Sequence, residues 1–313
     1  MRDRFPLMIV AGLVLLVVAG GYLVRSAARG RFADVLSTWR SEPDGARALY
    51  LLSEESGLRV RRHQTDLELI PENAQLVLLG VYHEGTRALR TDLYRDESED
   101  DVSDEEVESE KRGMNAFSAP SLSDDEREKL LEHLGAGNTL IYVPIGDPED
   151  PLLRELGVTL VPVEGSAGMR TFVAPQPSVW TRGVEHAEAE VRTHLDLPGH
   201  AIPLLIDAQL GGTVAALVPW KSGRVVVISA PELAMNRRLA LADNAQLWLS
   251  LLTAAAGPDG QVAFDEFHHG FTDDRSMAAF AARYGLHFAI LQLVLGVGLW
   301  TFALRRFGRP RMP

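Results

Sequence analysis

The sequence QLVLLGV occupies residues 75–81, and TLIYVPI occupies residues 139–145. Both runs are continuously apolar rather than alternating, which is typical of strands buried on both faces of a parallel sheet. The segments RVVVIS at 224–229 and QVAFDEF at 261–267 have a similar strand composition. Helical patterns separate these runs. Strands that alternate with helices predict an α/β fold in which a mostly parallel sheet carries helices on both faces.

Capping residues mark the predicted helices. Ser123 followed three residues later by Glu126 predicts a capping box that opens a helix over 124–134. The longest soluble helical pattern covers 231–255 and ends at Gly257. Shorter helices are predicted over 31–40, 46–55 and 151–156.

The remaining segments predict less regular structure. Residues 158–200 mix short β-like runs with proline, glycine and serine, and we interpret them as an elaboration rather than a second domain. A hairpin is predicted from 213–220 and 224–229, because the intervening turn ends in glycine. A short strand is predicted over 58–63.

Long uncharged runs lie near both ends of the chain. They are PLMIVAGLVLLVVAGGYLV at 6–24 and GLHFAILQLVLGVGLWTFAL at 285–304. Each is close to the roughly 20 residues that a helix needs to cross a bilayer. We therefore predict an N-terminal anchor over 1–31, a water-soluble domain over 32–284, and a second transmembrane helix with a basic tail over 285–313. A cleaved signal peptide is the alternative for the first run, but its apolar region usually covers only about 7 to 15 residues.

The arginines near the predicted spans indicate an orientation. The tail RRFGRPRMP contains four arginines and no acid, so the positive-inside rule places it in the cytoplasm. Two spans then place both termini there, with the middle domain on the periplasmic side of a bacterial inner membrane. The opposite orientation is favoured by the three arginines that follow the first run, Arg25, Arg29 and Arg31.

Charge and cysteine content exclude several classes of protein. The chain carries −12 in total and its flanking segments 1–31 and 285–313 carry +8, so residues 32–284 carry −20. Such a domain repels nucleic acid. Because there is no cysteine, disulfides, thiolate metal sites and cysteine nucleophiles are excluded. Ten acids occur within 96–110, in a predicted disordered loop over 96–112 that lacks the glycine and ligand spacing of a calcium-binding EF-hand.

The densest cluster of functional side chains is Asp265, Glu266, His268 and His269, in the segment FDEFHHG. It follows a predicted strand, and ligands of open α/β sheets bind beyond the carboxyl ends of the strands. Carboxylates beside imidazoles could bind a ligand or metal, or relay protons. The structural alternative is that the carboxylates cap a helix and the histidines bond backbone carbonyls. The spacing is not HExxH, so no metal, cofactor or catalytic residue is assigned.

A second set of ligand-binding candidates is Glu232, Asn236 and Asn244. The predicted helix over 231–255 directly follows a strand, and its N-terminus could hold an anion or a carboxylate. Glu232 could equally cap that helix. Asn236 and Asn244 are eight residues apart, so on one helix they would share a face and line the crevice beside FDEFHHG.

The layout resembles the family of bacterial membrane proteins that carry the DUF4350 domain. The resemblance is carried by the two predicted spans, by LADNAQLWLSLL at 241–252 and by FDEFHHG at 264–270. It implies a fold similar to class I glutamine amidotransferases, with a flavodoxin-like sheet, and to auxiliary domains of gliding-motility type ABC transport systems. It also implies membrane-protein partners, including a MoxR-type ATPase system. Amidotransferases need a cysteine on a sharp turn, and the comparable residues 143–145 offer no nucleophile.

Three functions are compatible with these features. The first is a membrane-tethered, non-catalytic binding or assembly domain that serves as an accessory component of an envelope or transport-related complex. The second is a metal-assisted hydrolase that uses the FDEFHHG side chains. The third is a sensor that binds a small ligand in the sheet crevice and signals through the final helix.

Overall fold

The computed structural model describes residues 33–83, 120–145, 149–163, 168–257 and 260–271, together with residue 292. The predicted spans at 6–24 and 285–304 lie outside these residues apart from residue 292, and so does the acidic loop at 96–112. Within the described part of the chain, no helix is both long enough and apolar enough to cross a membrane.

The described residues contain four α-helices and eleven strands. The helices are α1 Arg47–Glu55, α2 Asp124–Gly135, α3 Pro151–Glu155 and α4 Asn244–Ala256. The strands are β1 Val60–His63, β2 Ala74–Leu79, β3 Thr139–Val143, β4 Thr159–Pro162, β5 Met169–Val173, β6 Ala187–Glu190, β7 Thr193–Asp196, β8 Ile202–Asp207, β9 Thr213–Trp220, β10 Gly223–Ile228 and β11 Gln261–Asp265. Short 3₁₀ turns cover Leu67–Leu69, Val179–Thr181 and Pro231–Ala234.

Five strands form the parallel half of the sheet, in the order β1, β11, β2, β3, β10. The predicted strands at 75–81, 139–145 and 261–267 supply β2, β3 and β11. All five residues of β3 are buried, because a parallel strand in the middle of a sheet is covered on both faces. These strands were therefore recognisable from composition alone.

The predicted fold class is wrong, because the sheet is mixed. Beyond β10 the strands β9, β8, β5 and β6 pair antiparallel, and β7 pairs antiparallel with both β9 and β4. The described residues therefore form mostly sheet, not a mostly parallel sheet with helices on both faces in the manner of flavodoxin or the amidotransferases. The segment interpreted as an elaboration supplies most of this half. Its strands are short, and in β6 only Ala187 and Ala189 are buried, which leaves a weak apolar signal.

Two predicted helices also require correction. The residues predicted to form one helix over 231–255 instead form a 3₁₀ turn at Pro231–Ala234, and α4 begins only at Asn244. Ala242 has a φ of 43°, in the left-handed region, so a continuous helix cannot pass through it. The predicted helix over 31–40 is absent from its described residues 33–40, which form turns, with Leu36 at a φ of 65°.

The parallel strands separate two apolar clusters, because side chains alternate between the two faces of a strand. On β2, Val77 and Leu79 join one cluster, whereas Leu76 and Leu78 join the other. The first cluster includes Leu49 of α1 and Trp248 of α4, and the second includes Leu130 and Leu134 of α2. On β11, Phe264 belongs to the first cluster and Ala263 to the second.

Candidate functional site

The FDEFHHG segment lies at the carboxyl end of β11, beside the end of β1. Asp265 pairs in register with His63, and the backbone N–H of Glu266 donates to the carbonyl of His63 at 2.8 Å. By strand alternation, Asp265 points to the side of Ala263 and Glu266 to the side of Phe264. The two neighbouring carboxylates therefore take part in separate contacts on opposite sides of the sheet.

Glu126, Asp265 and His268 form the first group of contacts, which we term the α2-side cluster. The His268 ring places Nδ1 2.9 Å from Asp265 Oδ2 and Nε2 3.3 Å from Glu126 Oε1. All three residues are buried, and His268 is only 1% exposed. One imidazole thus bridges two carboxylates, one on β11 and one on α2.

This arrangement favours a charged imidazole. Burial alone would lower the pKa of His268, but the charge and hydrogen bond of Asp265 and the contact with Glu126 raise it to about 10. Burial alone would raise the pKa of Glu126, but its hydrogen bond with His268 and the imidazolium charge lower it to about 2. At neutral pH the cluster is a buried cation held between two anions.

The capping box of α2 positions Glu126. The Ser123 hydroxyl accepts from the Glu126 backbone N–H at 3.3 Å, while the Glu126 carboxylate accepts from the Ser123 N–H at 3.1 Å and hydroxyl at 2.9 Å. The predicted capping box is therefore confirmed. Its glutamate also contacts His268, 142 residues away, and no local sequence signal marks this second contact.

Ser37, Thr38 and Glu266 form the second group of contacts, which we term the Glu266 clasp. The hydroxyl of Ser37 donates to Glu266 Oε2 at 2.6 Å, and the backbone N–H and hydroxyl of Thr38 both donate to Oε1 at 2.6 Å. Glu266 is completely buried. Burial raises its pKa to about 7, because desolvation outweighs the hydrogen bonds from Ser37 and Thr38.

Two further histidines lie near the α2-side cluster. His63 Nε2 is 3.3 Å from both the Asp66 carbonyl and the Thr65 hydroxyl, and burial lowers the pKa of His63. His269 is 6% exposed and buried beside its neighbour in sequence. Asp265 Oδ1 is also buried, and it has no hydrogen-bond partner among the described residues.

The second predicted set does not share one helix face. Glu232 lies in the 3₁₀ turn, accepts from Arg238 Nε at 3.0 Å and from the Glu190 backbone N–H at 3.2 Å, and pairs with Arg237 as well. Asn244, at the start of α4, accepts from the Glu188 N–H at 2.9 Å and donates to the Glu188 carbonyl at 2.7 Å. Its amide thus pairs with the backbone of β6 as another strand would.

Asn236 connects the loop at 40–42 to the first turn of α1. Its side-chain oxygen accepts from the Ala48 N–H at 2.7 Å, and its nitrogen donates to the carbonyls of Arg40 at 3.1 Å and Glu42 at 2.6 Å. Of the seven predicted site residues, the structure brings Asp265 and His268 into direct contact. It places Asn236 and Asn244 in separate backbone-binding roles, and it surrounds Glu266 with two hydroxyls and one backbone N–H.

Sequence reasoning missed a further cluster at the carboxyl ends of β2 and β3. His83 Nε2 lies 3.0 Å from the Tyr142 hydroxyl and 3.2 Å from Asp150 Oδ1, and the Tyr142 hydroxyl donates to Asp150 Oδ2. All three residues are buried. The available signal was position, because His83 follows the QLVLLGV strand at the same sheet edge as FDEFHHG. Across the described ranges, no group of three or more histidines and carboxylates is arranged to hold a metal ion.

A family model described as "Domain of unknown function (DUF4350)" matches residues 82–252, which is more than half of the chain. The chain belongs to the DUF4350 family. The match includes the α4 segment LADNAQLWLSLL and ends before FDEFHHG, so the α2-side cluster draws only Glu126 from the matched region.

Other comparisons give weaker similarities. The search of curated proteins found no match. Among solved structures, the DUF4350 chain is similar to the cytoplasmic protein STM3548 from Salmonella typhimurium, with 11% identity, a TM-score of 0.42, and coverage of 68% of this chain and 87% of that one. The cytoplasmic protein STM1381 from Salmonella typhimurium LT2 has 13% identity, a TM-score of 0.41, and coverage of 67% and 87%. The mmIFT52 N-terminal domain has 14% identity, a TM-score of 0.35, and coverage of 45% and 76%. Similarities this weak do not establish a shared fold or function.

Proposed function

We propose that this DUF4350 protein is a membrane-tethered, non-catalytic binding or assembly domain, an accessory component of an envelope or transport-related complex. One observation carries the proposal. At the sheet edge where α/β proteins place their chemistry, Asp265, Glu266 and His268 are at most 2% exposed and bond to other parts of the same chain. Side chains occupied in this way stabilise the domain rather than meet a substrate.

The proposed tethering rests on the uncharged runs at 6–24 and 285–304. Both termini would be cytoplasmic and the domain periplasmic, in a bacterial inner membrane. The absence of native cysteine allows a direct test of topology. In intact spheroplasts, a membrane-impermeant maleimide is expected to label a Glu55→Cys variant, because Glu55 is exposed, but not a Met312→Cys variant. The reverse labelling pattern would place the domain in the cytoplasm.

Partners of the tethered domain would be other membrane-associated proteins, including a MoxR-type ATPase system. The net charge of −20 over residues 32–284 favours a basic surface on the partner and disfavours nucleic acid. A periplasmic domain would meet the membrane-protein components of such a system rather than the ATPase itself, so binding of the full-length protein in vesicles to such a membrane component from the same bacterium should weaken as salt rises. An absence of binding at low salt would remove this partner from the proposal.

The alternative is a metal-assisted hydrolase or ligand sensor that uses FDEFHHG. The observation in its favour is Asp265 Oδ1, a buried carboxylate oxygen without a hydrogen-bond partner in the described structure. Elemental analysis of the purified full chain, beside a His268→Ala/His269→Ala double variant, separates the two functions. Stoichiometric zinc or manganese that is lost in the variant would establish the metal site and overturn the non-catalytic proposal. The accessory role predicts no stoichiometric metal in either protein.

A further inference from the structure

The two outer strands of the sheet differ in what their free edges bond. The strand order places β1 at one end of the sheet and β6 at the other. An outer strand presents backbone N–H and C=O groups that can pair with another chain, and proteins commonly cover or blunt such edges. Within the described residues, the edge of β6 is covered and the edge of β1 is not.

Side chains from residues 232–244 cover the free edge of β6. The amide of Asn244 bonds to both the N–H and the C=O of Glu188, at 2.9 and 2.7 Å, as a neighbouring strand would. Glu232 accepts from the backbone N–H of Glu190 at 3.2 Å. Another strand cannot pair with β6 unless it displaces these bonds.

The free edge of β1 has no comparable cover in the described part of the chain. In a parallel pair, alternate residues of a strand bond to its neighbour. The carbonyls of Arg59 and His63 accept from N–H groups in and directly after β11, at 2.9 and 2.8 Å. By this alternation the N–H and C=O of Arg62 point away from β11, and no described residue bonds to either group. This edge can therefore accept a further strand.

Arg61 adds two unfilled hydrogen-bond donors to the same edge. Its Nε and Nη2 atoms are both buried and have no hydrogen-bond partner in the described structure. These two N–H groups lie on one side of a guanidinium, so together they match the two oxygens of a carboxylate. A buried donor without a partner costs free energy, which a bound carboxylate would recover. Arg61 as a whole is only half-buried, so a change of rotamer can present both donors at the edge.

The neighbouring Arg62 shows how the same side chain is filled when it serves the fold. Its Nε donates to the Thr38 hydroxyl at 2.8 Å, and its Nη2 donates to the Thr38 carbonyl at 3.0 Å. The guanidinium also lies 3.9 Å from the ring centroid of Trp39 and 3.7 Å from that of Tyr50. The corresponding two donors of Arg61 have none of these partners. Arg62 therefore stabilises the domain, whereas Arg61 is available to a ligand.

We propose that the free edge of β1 is a docking site for an extended segment of a partner protein, which adds as a strand and places one Asp or Glu carboxylate on the Arg61 guanidinium. Backbone pairing would supply affinity, and the carboxylate would supply specificity. Arg61 pairs in register with Ala263, so this acid would lie on the α2 side of the sheet. Because residues 32–284 carry −20, the rest of the segment would be neutral or basic. The inference rests on the proposed binding function and names the chemistry of its partner.

Peptide selection on the full-length protein in nanodiscs tests this site. A phage-displayed library of short random peptides is selected on the wild type, after removal of peptides that bind empty nanodiscs or the Arg61→Leu variant. We expect a consensus of β-branched residues with one Asp or Glu at a fixed position. Replacing that acid by its amide, or N-methylating alternate backbone nitrogens of the peptide, should each weaken binding about tenfold, because each change removes one of the two modes of recognition.

Variants of the two neighbouring arginines separate binding from folding. Arg61→Leu should weaken binding of the consensus peptide about tenfold and leave the midpoint of chemical denaturation at or above the wild-type value, because it removes donors that were unfilled. Arg61→Lys keeps the charge but lacks the fork, so binding should weaken severalfold. Arg62→Leu is the contrasting variant, and its midpoint should fall because the contacts with Thr38 are lost.

Three results would each overturn the docking site. They are a selection without a fixed acidic position, equal binding of the consensus peptide to the wild type and to Arg61→Leu, and a lowered denaturation midpoint for Arg61→Leu. Alkaline carbonate extraction of membranes reports separately on tethering. A protein that is released into the supernatant contradicts the proposed tethering, whereas peptide binding by that same protein would still support the β1 edge as a site.

Discussion

The two faces of β11 end in polar contacts of different kinds. On one face, the α2-side cluster holds an imidazolium between the carboxylates of Asp265 and Glu126. On the other face, the Glu266 clasp holds a single carboxyl group with two hydroxyls and one backbone N–H. Two neighbouring acids of one motif thus form an ion-pair network in one direction and a hydrogen-bonded group with a raised pKa in the other. Environment, not residue type, decides which role a carboxylate takes.

The two faces should respond to pH in different ways. The pKa of His268 is raised to about 10. Its contribution to the stability of the fold is therefore fully present below about pH 6.5 and is lost as the pH rises through 10. The pKa of Glu126 is lowered to about 2. Its contribution to the stability of the fold is therefore present above pH 4.5 and is lost as the pH falls through 2. The pKa of Glu266 is raised to about 7, so the folded state is favoured below 4.5 and this advantage is lost as pH rises through 7.

The largest effect is expected from His268→Ala. Removal of the imidazolium leaves Asp265 and Glu126 as buried anions without their cation, and breaking a buried ion pair in this way costs about 3–5 kcal/mol. Chemical denaturation of the full chain, monitored by tryptophan fluorescence, measures the free energy of unfolding. A loss below about 1 kcal/mol would mean that the imidazole does not bridge the two carboxylates.

A double-mutant cycle provides the control for this variant. Glu126→Gln removes one anion, so the further cost of His268→Ala should be smaller in that background, with a coupling of about 0.5–3 kcal/mol. Additive effects of the two substitutions would contradict a direct contact between these side chains.

A smaller effect is expected on the opposite face, from the titration of Glu266. As pH rises from 4.5 to 7, the group should lose about 3 kcal/mol of stability, because the folded state holds its proton more tightly than the unfolded state. Glu266→Gln cannot titrate, so the difference in unfolding free energy between this variant and the wild type should change across that window. A constant difference from pH 4.5 to 7 would show that folding does not raise the pKa of Glu266.

The smallest effect is expected from Ser123→Ala, which weakens the α2 capping box and leaves His268 in place. Loss of an N-cap hydroxyl costs about 1 kcal/mol. The variant should therefore lose much less unfolding free energy than His268→Ala, while the alkaline loss attributed to His268 persists. If Ser123→Ala were as damaging as His268→Ala, the capping box rather than the ion pair would hold α2 to the sheet.

Local sequence signals located much of the parallel half. Continuous apolar runs predicted β2 and β3, strand composition predicted β11, and the Ser123–Glu126 pattern predicted the start of α2, because burial and capping act within a few residues. The predicted hairpin of β9 and β10 is confirmed. The strands within 158–200 were not predicted individually, because they are short and half-exposed. The predicted helix over 231–255 failed because Ala242 adopts a left-handed conformation that composition does not reveal.

The predicted ligand site stays a prediction, but the structure shows how its residues are arranged. Sequence alone indicated that Asp265, Glu266 and His268 would lie at the end of a buried strand, because strand period and position are local properties. Only the tertiary structure decided that Glu126 and Ser37 would be their partners, since contacts across 142 and 229 positions depend on how the sheet orders its strands. The same folding turned the clustered polar residues inward, where desolvation and pairing, rather than residue identity, set their charge.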